Sequence, residues 1–335
     1  MKKLNNLLIY VKRHYKTLIP FLTLTKAINI MLSISEMKTK KIKCVSRPYI
    51  YRIDPNSLCN LQCVSCNTYS EKTDEKRIMY YNDYSIILKK LKKYALRFSL
   101  YDMGEPLMHK EIYKMISDAS NNKISTLIST NFNLFKKEDV EKLFKSRLTK
   151  LEPCLDGFTQ ENYKKYRQKG DVEKVKNGIT AVMDYKLKNK SKYPVVDVQV
   201  IEFDHIKKEL PLIDKFLKEI KVDKITYRAE SLGFNSEKTT LKREGNEGNS
   251  CFWLYLGMMI RPDGQVYPCC GRGFNRFSYG NILKQDLSEI WNNKYYQFSR
   301  SLFVKGAALN CDKEMADIPC LKCKEFKIQR KVNII

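Results

Sequence analysis

No run in this 335-residue chain is apolar for long enough to make a comfortable transmembrane span. The nearest candidate, Leu18 to Ile34, is broken by Pro20, Lys26 and Asn29, so we read it as an amphipathic helix instead. No small-residue cleavage site follows it, which removes a secretory leader. A disulfide framework goes with the leader, because 11 cysteines is an odd number and the chain is long. We expect a cytoplasmic, reducing setting in which thiols serve metal. Internal repeats and low-complexity tracts are also missing, which excludes solenoids and arrays.

Acidic residues are scarce: 37 against 62 basic ones, for a net charge of +25. Such an excess keeps nucleic acid, an anionic membrane and an acidic substrate in view as partners. Abundant Lys, Asn, Ile and Tyr supply a compositional account of the same imbalance, as in proteins from AT-rich genomes. The deficit is sharpest in the first 50 residues, where 11 basic side chains face Glu36 alone. That segment, residues 1–47, is expected to pack on the main domain or a partner, with an anionic membrane surface (the inner face of the membrane) as the alternative.

From about residue 48, short β-rich runs alternate with helical periods, the pattern of βα units around a parallel sheet. The expected strands are Tyr49 to Ile53, Phe98 to Met103, Ile124 to Ile128, Leu148 to Leu155, Val195 to Ile201 and Lys224 to Arg228. Helices are expected around Ile87, Leu91 and Tyr94, around Val140, Leu143 and Phe144, and from Leu210 to Ile220. Val196, Val198 and Val200 alternate with Asp197 and Gln199, which suits a strand whose polar side faces a ligand cavity. A barrel over 48–230, a linker over 231–250 and a second domain over 251–335 complete the division. In the last of these, Pro262-Asp263-Gly264 reads as a hairpin turn, and Asp286 with Glu289 as a capping box.

Cys59, Cys63 and Cys66 form a C-x3-C-x2-C triplet directly after the first strand. Three thiolates on one loop hold three irons of a 4Fe-4S cluster and leave the fourth open to a ligand. Downstream, two strands run into polar motifs, Gly104-Glu105-Pro106 and Ser129-Thr130-Asn131. Parallel α/β barrels place reacting groups at such strand ends. Triplet and motifs together resemble the radical S-adenosylmethionine (SAM) enzymes. The resemblance implies a partial (β/α)6 barrel, SAM on the open iron, and its reductive cleavage to a 5′-deoxyadenosyl radical. It assigns the SAM ammonium to Gly104, Glu105 and Pro106, and the ribose to the segment holding Ser129 and Asn131. Leu155-Asp156-Gly157 with Tyr163, Tyr166 and Arg167 resembles the segment where an arginine pairs with the SAM carboxylate. Ser65 stands where the family has an aromatic, which leaves adenine packing looser or passes it to Tyr69; Met103 and Phe132 replace glycines, and Cys154 replaces a common serine.

Cys251, Cys269, Cys320 and Cys323 lie in an arrangement that resembles the SPASM domain in its truncated, twitch form, a small α+β unit with one auxiliary 4Fe-4S cluster. Cys270 is an alternative to Cys269, and Cys44 and Cys311 are spare thiols. Four thiols with a C-x2-C pair also suit zinc. An external donor such as flavodoxin or ferredoxin is implied. The substrate is expected to be a sugar, cyclitol or phosphorylated small molecule oxidised by two electrons, with a peptide as the alternative. Arg228 and Glu230, at the end of the sixth strand, are candidate substrate contacts. A reading of another class, a basic zinc protein that binds nucleic acid, leaves Gly104 to Pro106 and Ser129 to Asn131 without a role.

Overall fold

A computed structural model describes residues 15–64, 66, 77–230, 250–269, 277–304, 310–323 and 333–334. Six strands, β1 (Ile50–Ile53), β2 (Arg97–Ser99), β3 (Ser125–Thr130), β4 (Lys150–Pro153), β5 (Val195–Glu202) and β6 (Lys224–Ala229), pair in parallel in chain order. Helices such as Tyr81–Leu91, Ile112–Asn121, Val172–Lys188 and Leu210–Glu219 connect them, as βα units require. The helices hold the outer layer through apolar stripes: Ile87, Leu88 and Leu91 on one, Val175, Ile179 and Val182 on another.

The sheet runs on past β1. Strand β7 (Gly257–Ile260) pairs in parallel with β1, and β8 (Gln265–Tyr267) and β9 (Gly280–Asn281) follow antiparallel, giving a nine-stranded sheet. The β7–β8 turn contains Gly264 at φ +79°, a conformation that costs other residues a clash with their own Cβ. The capping box at Asp286 and Glu289 is present and opens the helix Leu287–Trp291.

Three elements are clearly shorter than expected; one is β4, which spans Lys150–Pro153 rather than Leu148 to Leu155. β2 stops at Ser99; Leu100 N–H still donates to Leu127 O at 2.8 Å, and beyond it the chain turns away, where Asp102 meets Arg52 at 3.2 Å and Arg261 at 3.1 Å. The helix at Ile87 ends at Leu91, so Tyr94 lies in the turn beyond it. On β5, Val196, Val198 and Val200 are fully buried while Asp197 lines the lumen. Each such valine contributes roughly 1.5–3 kcal/mol of burial. Among the described residues no helix is long and apolar enough to cross a membrane. The expected linker, apart from Ser250, falls outside the described residues.

The N-terminal segment packs on the main domain by a polar stripe, with Leu18, Phe21, Ile30 and Met37 packed against the core beside it. The helix Leu24–Lys38 buries Lys26, Asn29, Ser33 and Glu36. Thr17 accepts from Arg97 Nη2 at 2.6 Å, and Tyr193 donates to the Lys16 carbonyl at 2.7 Å. Arg97 and Tyr193 sit at or just before the N-terminal ends of β2 and β5, so the segment lies across the floor of the barrel.

Candidate active site and auxiliary cysteine cavity

At the opposite end, β1 delivers the chain into the loop that carries Cys59, Cys63 and Cys66. Backbone bonds fix this loop: Glu105 N–H donates to Leu58 O at 2.7 Å, Gln62 N–H to Gln168 O at 3.1 Å, and Val64 N–H to Tyr166 O at 3.1 Å. A Cβ on Gly104 would stand 2.2 Å from Asn56 O and 2.5 Å from Leu58 O. Only glycine lets the two loops come this close. The three expected segments, at 104–106, 129–131 and 156–167, therefore converge on the cysteine loop.

Glu105 is buried and its carboxylate is fully engaged. It accepts from Thr130 Oγ1 at 2.6 Å, Asn131 N–H at 2.8 Å and Leu107 N–H at 3.1 Å. Burial still holds this carboxyl above its ordinary range, against the pull of those three donors. Its side chain thus clamps the Gly104–Pro106 loop to the end of β3. Asn131 Nδ2 donates to Asn60 Oδ1 at 2.9 Å and lies 3.8 Å from Cys59 Sγ. Ser129 Oγ is 3.7 Å from Cys154 Sγ.

Arg167 is held by buried Asp156 through Nε at 2.7 Å and Nη2 at 2.6 Å, and its Nη1 lies 3.7 Å from Cys63 Sγ. Asp156 is anchored in turn by Ile201 N–H at 2.8 Å. Phe132, in place of a family glycine, adopts φ +61°. It tolerates this strained conformation by full burial, stacked at 4.2 Å on Phe135 and against Gly178. Ser65 and Tyr69, and with them the adenine contact, lie outside the described residues.

Burial pushes the Cys59 thiol up to about 11 and raises Cys63 as well. Bare, these thiols keep their protons, and metal binding displaces them. Three thiols on one loop, met by an amide and a guanidinium, fit a 4Fe-4S cluster whose sulfurs accept hydrogen bonds from the protein.

Cys251, Cys269, Cys320 and Cys323 line one cavity with Trp253, Leu254, Pro268, Phe303 and Pro319. Cys251 is pushed upward by burial and then by its neighbours Cys320 and Cys269. Cys320 Sγ lies 3.7 Å from Tyr279 Oη, which meets Ser299 Oγ at 2.6 Å. Four thiols are the number that one 4Fe-4S cluster takes, and the walls around them are apolar. Cys270 lies outside the described residues, and Cys44 is buried with its N–H on Asn292.

Arg228 lines the lumen with its Nε 2.7 Å from Gln199 Oε1, and Glu230 is buried two residues further on. Sequence reading missed Lys150, Glu152 and Lys224, which join Asp197 in a ladder: Lys150 Nζ to Glu152 at 2.5 Å and to Asp197 at 2.7 Å, Lys224 Nζ to Asp197 at 2.9 Å. The alternation of charge on β4 and β6 was the available signal. Also missed was Arg261 of the β7–β8 turn, 3.2 Å from Asp54 at the start of the cysteine loop and 3.1 Å from Asp102.

A mostly parallel partial barrel with a three-cysteine loop at its strand ends and a four-cysteine cavity behind it defines an iron-sulfur enzyme class. Residues 53–210 match the Radical SAM superfamily and residues 251–324 match SPASM, an iron-sulfur cluster-binding domain. The chain belongs to the radical SAM superfamily, with a C-terminal SPASM domain; it takes a 4Fe-4S cluster with SAM, and its SPASM domain implies auxiliary iron-sulfur binding. The SPASM match describes an iron-sulfur cluster-binding domain where the alternative reading had a zinc site.

A probable GTP 3′,8-cyclase of Methanocaldococcus jannaschii is 31% identical over 136 residues, 41% of this chain and 46% of that one. The chain thus matches about half the length, or less, of such curated relatives. Streptococcus suis SuiB bound to S-adenosylmethionine superposes with a TM-score of 0.60 at 17% identity, over 88% of this chain and 73% of that one. BtrN in complex with AdoMet and 2-DOIA superposes with a TM-score of 0.50 at 16% identity, over 77% and 88%. At these identities the two structures speak for the fold.

Proposed function

We propose that this chain directs hydrogen abstraction onto a C–H bond of an anionic small molecule, a phosphorylated sugar or cyclitol in class, held in the barrel lumen. One observation carries the reading. Below the strand ends lies a cavity of about 220 Å³ whose lining includes five cationic side chains, Arg52, Arg97, Lys150, Lys224 and Arg228, and two carboxylates, Glu152 and Asp197. A lumen of that size and sign suits a compact polyanion better than a polypeptide segment.

A cluster held by Cys59, Cys63 and Cys66 would supply, with SAM and an external donor such as flavodoxin or ferredoxin, one-electron reduction and radical hydrogen abstraction, and a cluster held by Cys251, Cys269, Cys320 and Cys323 would supply a route for the second electron of a two-electron oxidation. The chain's own residues position these partners. Of the Gly104–Pro106 carbonyls, Glu105 O accepts from Asn56 Nδ2 and Met108 N–H and Pro106 O from His109 N–H, so the SAM ammonium falls to the Gly104 carbonyl, the Glu105 carboxylate being spent on Thr130, Asn131 and Leu107. Arg167, fixed by Asp156, is left for the SAM carboxylate. Arg228 and Glu230 act as substrate contacts at the upper rim of the lumen.

The test is anaerobic incubation of reconstituted protein with reductant, SAM and either a phosphorylated small-molecule fraction or a peptide fraction, with 5′-deoxyadenosine and deuterium transfer as readouts. Stimulation by the small-molecule fraction, lost in Arg228→Ala, supports the reading. Deuterium transfer from the peptide fraction alone would replace it with a peptide-modifying maturase.

A further inference from the structure

The helix Leu24–Lys38 buries a polar stripe, with Ile30 and Met37 packed against the core beside it. The stripe is bonded to backbone: Lys26 Nζ donates to Lys123 O, Asn29 exchanges two bonds of 2.8 Å with Arg47, and Ser33 Oγ donates to Tyr255 O at 2.6 Å. Glu36 accepts from Val45 N–H at 2.6 Å and from the Ser46 hydroxyl. The opposite stripe is apolar and exposed. Leu24 is 78% and Met31 63% accessible, with Ile28 and Leu32 between and beside them and Ile19 and Leu22 in the preceding turn. A soluble monomer gains nothing by showing six large apolar side chains on one convex ridge.

The charges around the ridge say what covers it. Between Tyr15 and Ile50 the only acidic residue is Glu36, and that one is buried. Lys16, Lys38, Lys41 and Lys43 are exposed in the same segment. A second copy of the chain would bring an identical cationic rim against this one, which repels. An anionic lipid surface answers both features at once: apolar side chains enter the boundary between headgroups and acyl chains while the lysines meet lipid phosphates.

We propose that the outer face of the Leu24–Lys38 helix docks the protein on an anionic membrane surface. The helix lies across the floor of the barrel, so docking turns the Cys59–Cys66 end toward the aqueous side, open to electron donor and substrate. The inference is independent of the substrate reading above.

Full-chain protein is sedimented with vesicles of phosphatidylcholine alone and with phosphatidylglycerol added. Leu24→Gln/Met31→Gln keeps the net charge and alters exposed positions only; iron content and SAM cleavage verify that it folds. Expected is binding to the anionic vesicles alone, reduced at least about tenfold by the double variant and weakened by Lys38→Glu/Lys41→Glu/Lys43→Glu. Undiminished binding of the double variant would show mere adsorption of a basic protein, and overturns the proposal. So does failure of the wild type to bind any vesicle, or a solution dimer that Leu24→Gln/Met31→Gln dissociates.

Discussion

The two cysteine sites of this protein are built in opposite ways. Cys59, Cys63 and Cys66 come from one loop of eight residues, and the sulfurs of Cys59 and Cys63 are met by polar groups from other segments, Asn131 just past β3 at 3.8 Å and Arg167 at the end of the helix Gln160–Tyr166 at 3.7 Å. Cys251, Cys269 and the Cys320/Cys323 pair come from three separate stretches and meet in a cavity with apolar walls. A single loop cannot easily surround a cube, so one position stays open; three converging stretches close it. Local construction goes with chemistry on a bound molecule, and non-local construction with enclosure and electron transfer.

The largest expected effect separates the sites outright. Replacing Cys59, Cys63 and Cys66 together by Ala should lower iron from about eight to about four per chain and abolish 5′-deoxyadenosine formation. Iron remaining near eight would break the comparison at its root. Next comes Gly104→Ala, which touches no sulfur. Its new methyl collides with Asn56 O and Leu58 O, so the loop must shift. A displacement near an ångström costs about a hundredfold in SAM cleavage, with the auxiliary iron retained. An unchanged rate would mean that the loop is not positioned by Gly104.

Cys320→Ala addresses the other site. It should remove about four irons and substrate oxidation, yet leave substrate-free SAM cleavage within a few-fold of wild type. Loss of both activities would show that the cavity serves the barrel as structure, through the sheet that β7 shares with β1.

Legibility in the amino-acid sequence follows the same division between local and non-local construction. The triplet and the three motifs are readable because each is local, a few residues at a strand end. Asp197 is readable because alternation within β5 exposes it. The cross-links are not: Glu105 onto Thr130 and Asn131, and Arg261 onto Asp54 and Asp102, join segments whose proximity only the sheet order creates. Nor is the polarity of the first helix legible. An amphipathic pattern names two faces but not which one is buried, and here backbone carbonyls at the barrel floor select the polar one.

The smallest expected effect concerns the tuning of the auxiliary site. Tyr279 is fully buried, and its hydroxyl sits between Ser299 Oγ at 2.6 Å and Cys320 Sγ at 3.7 Å. Once Cys320 ligates iron as a thiolate it accepts only, so the tyrosine O–H is available to donate to sulfur. Hydrogen bonds to cluster sulfurs stabilise the reduced, more negative state. Tyr279→Phe should therefore lower the midpoint potential of the auxiliary cluster by something on the order of tens of millivolts, leaving the SAM-binding cluster unmoved. It also removes the Tyr279 partner of the buried Ser299 hydroxyl, which keeps Cys320 as its other partner. Adding Ser299→Ala removes that second donor to the sulfur and should lower the potential further. Redox titration followed by electron paramagnetic resonance reads both clusters in one sample, and an unshifted auxiliary signal in Tyr279→Phe would remove the hydroxyl from the account of this site.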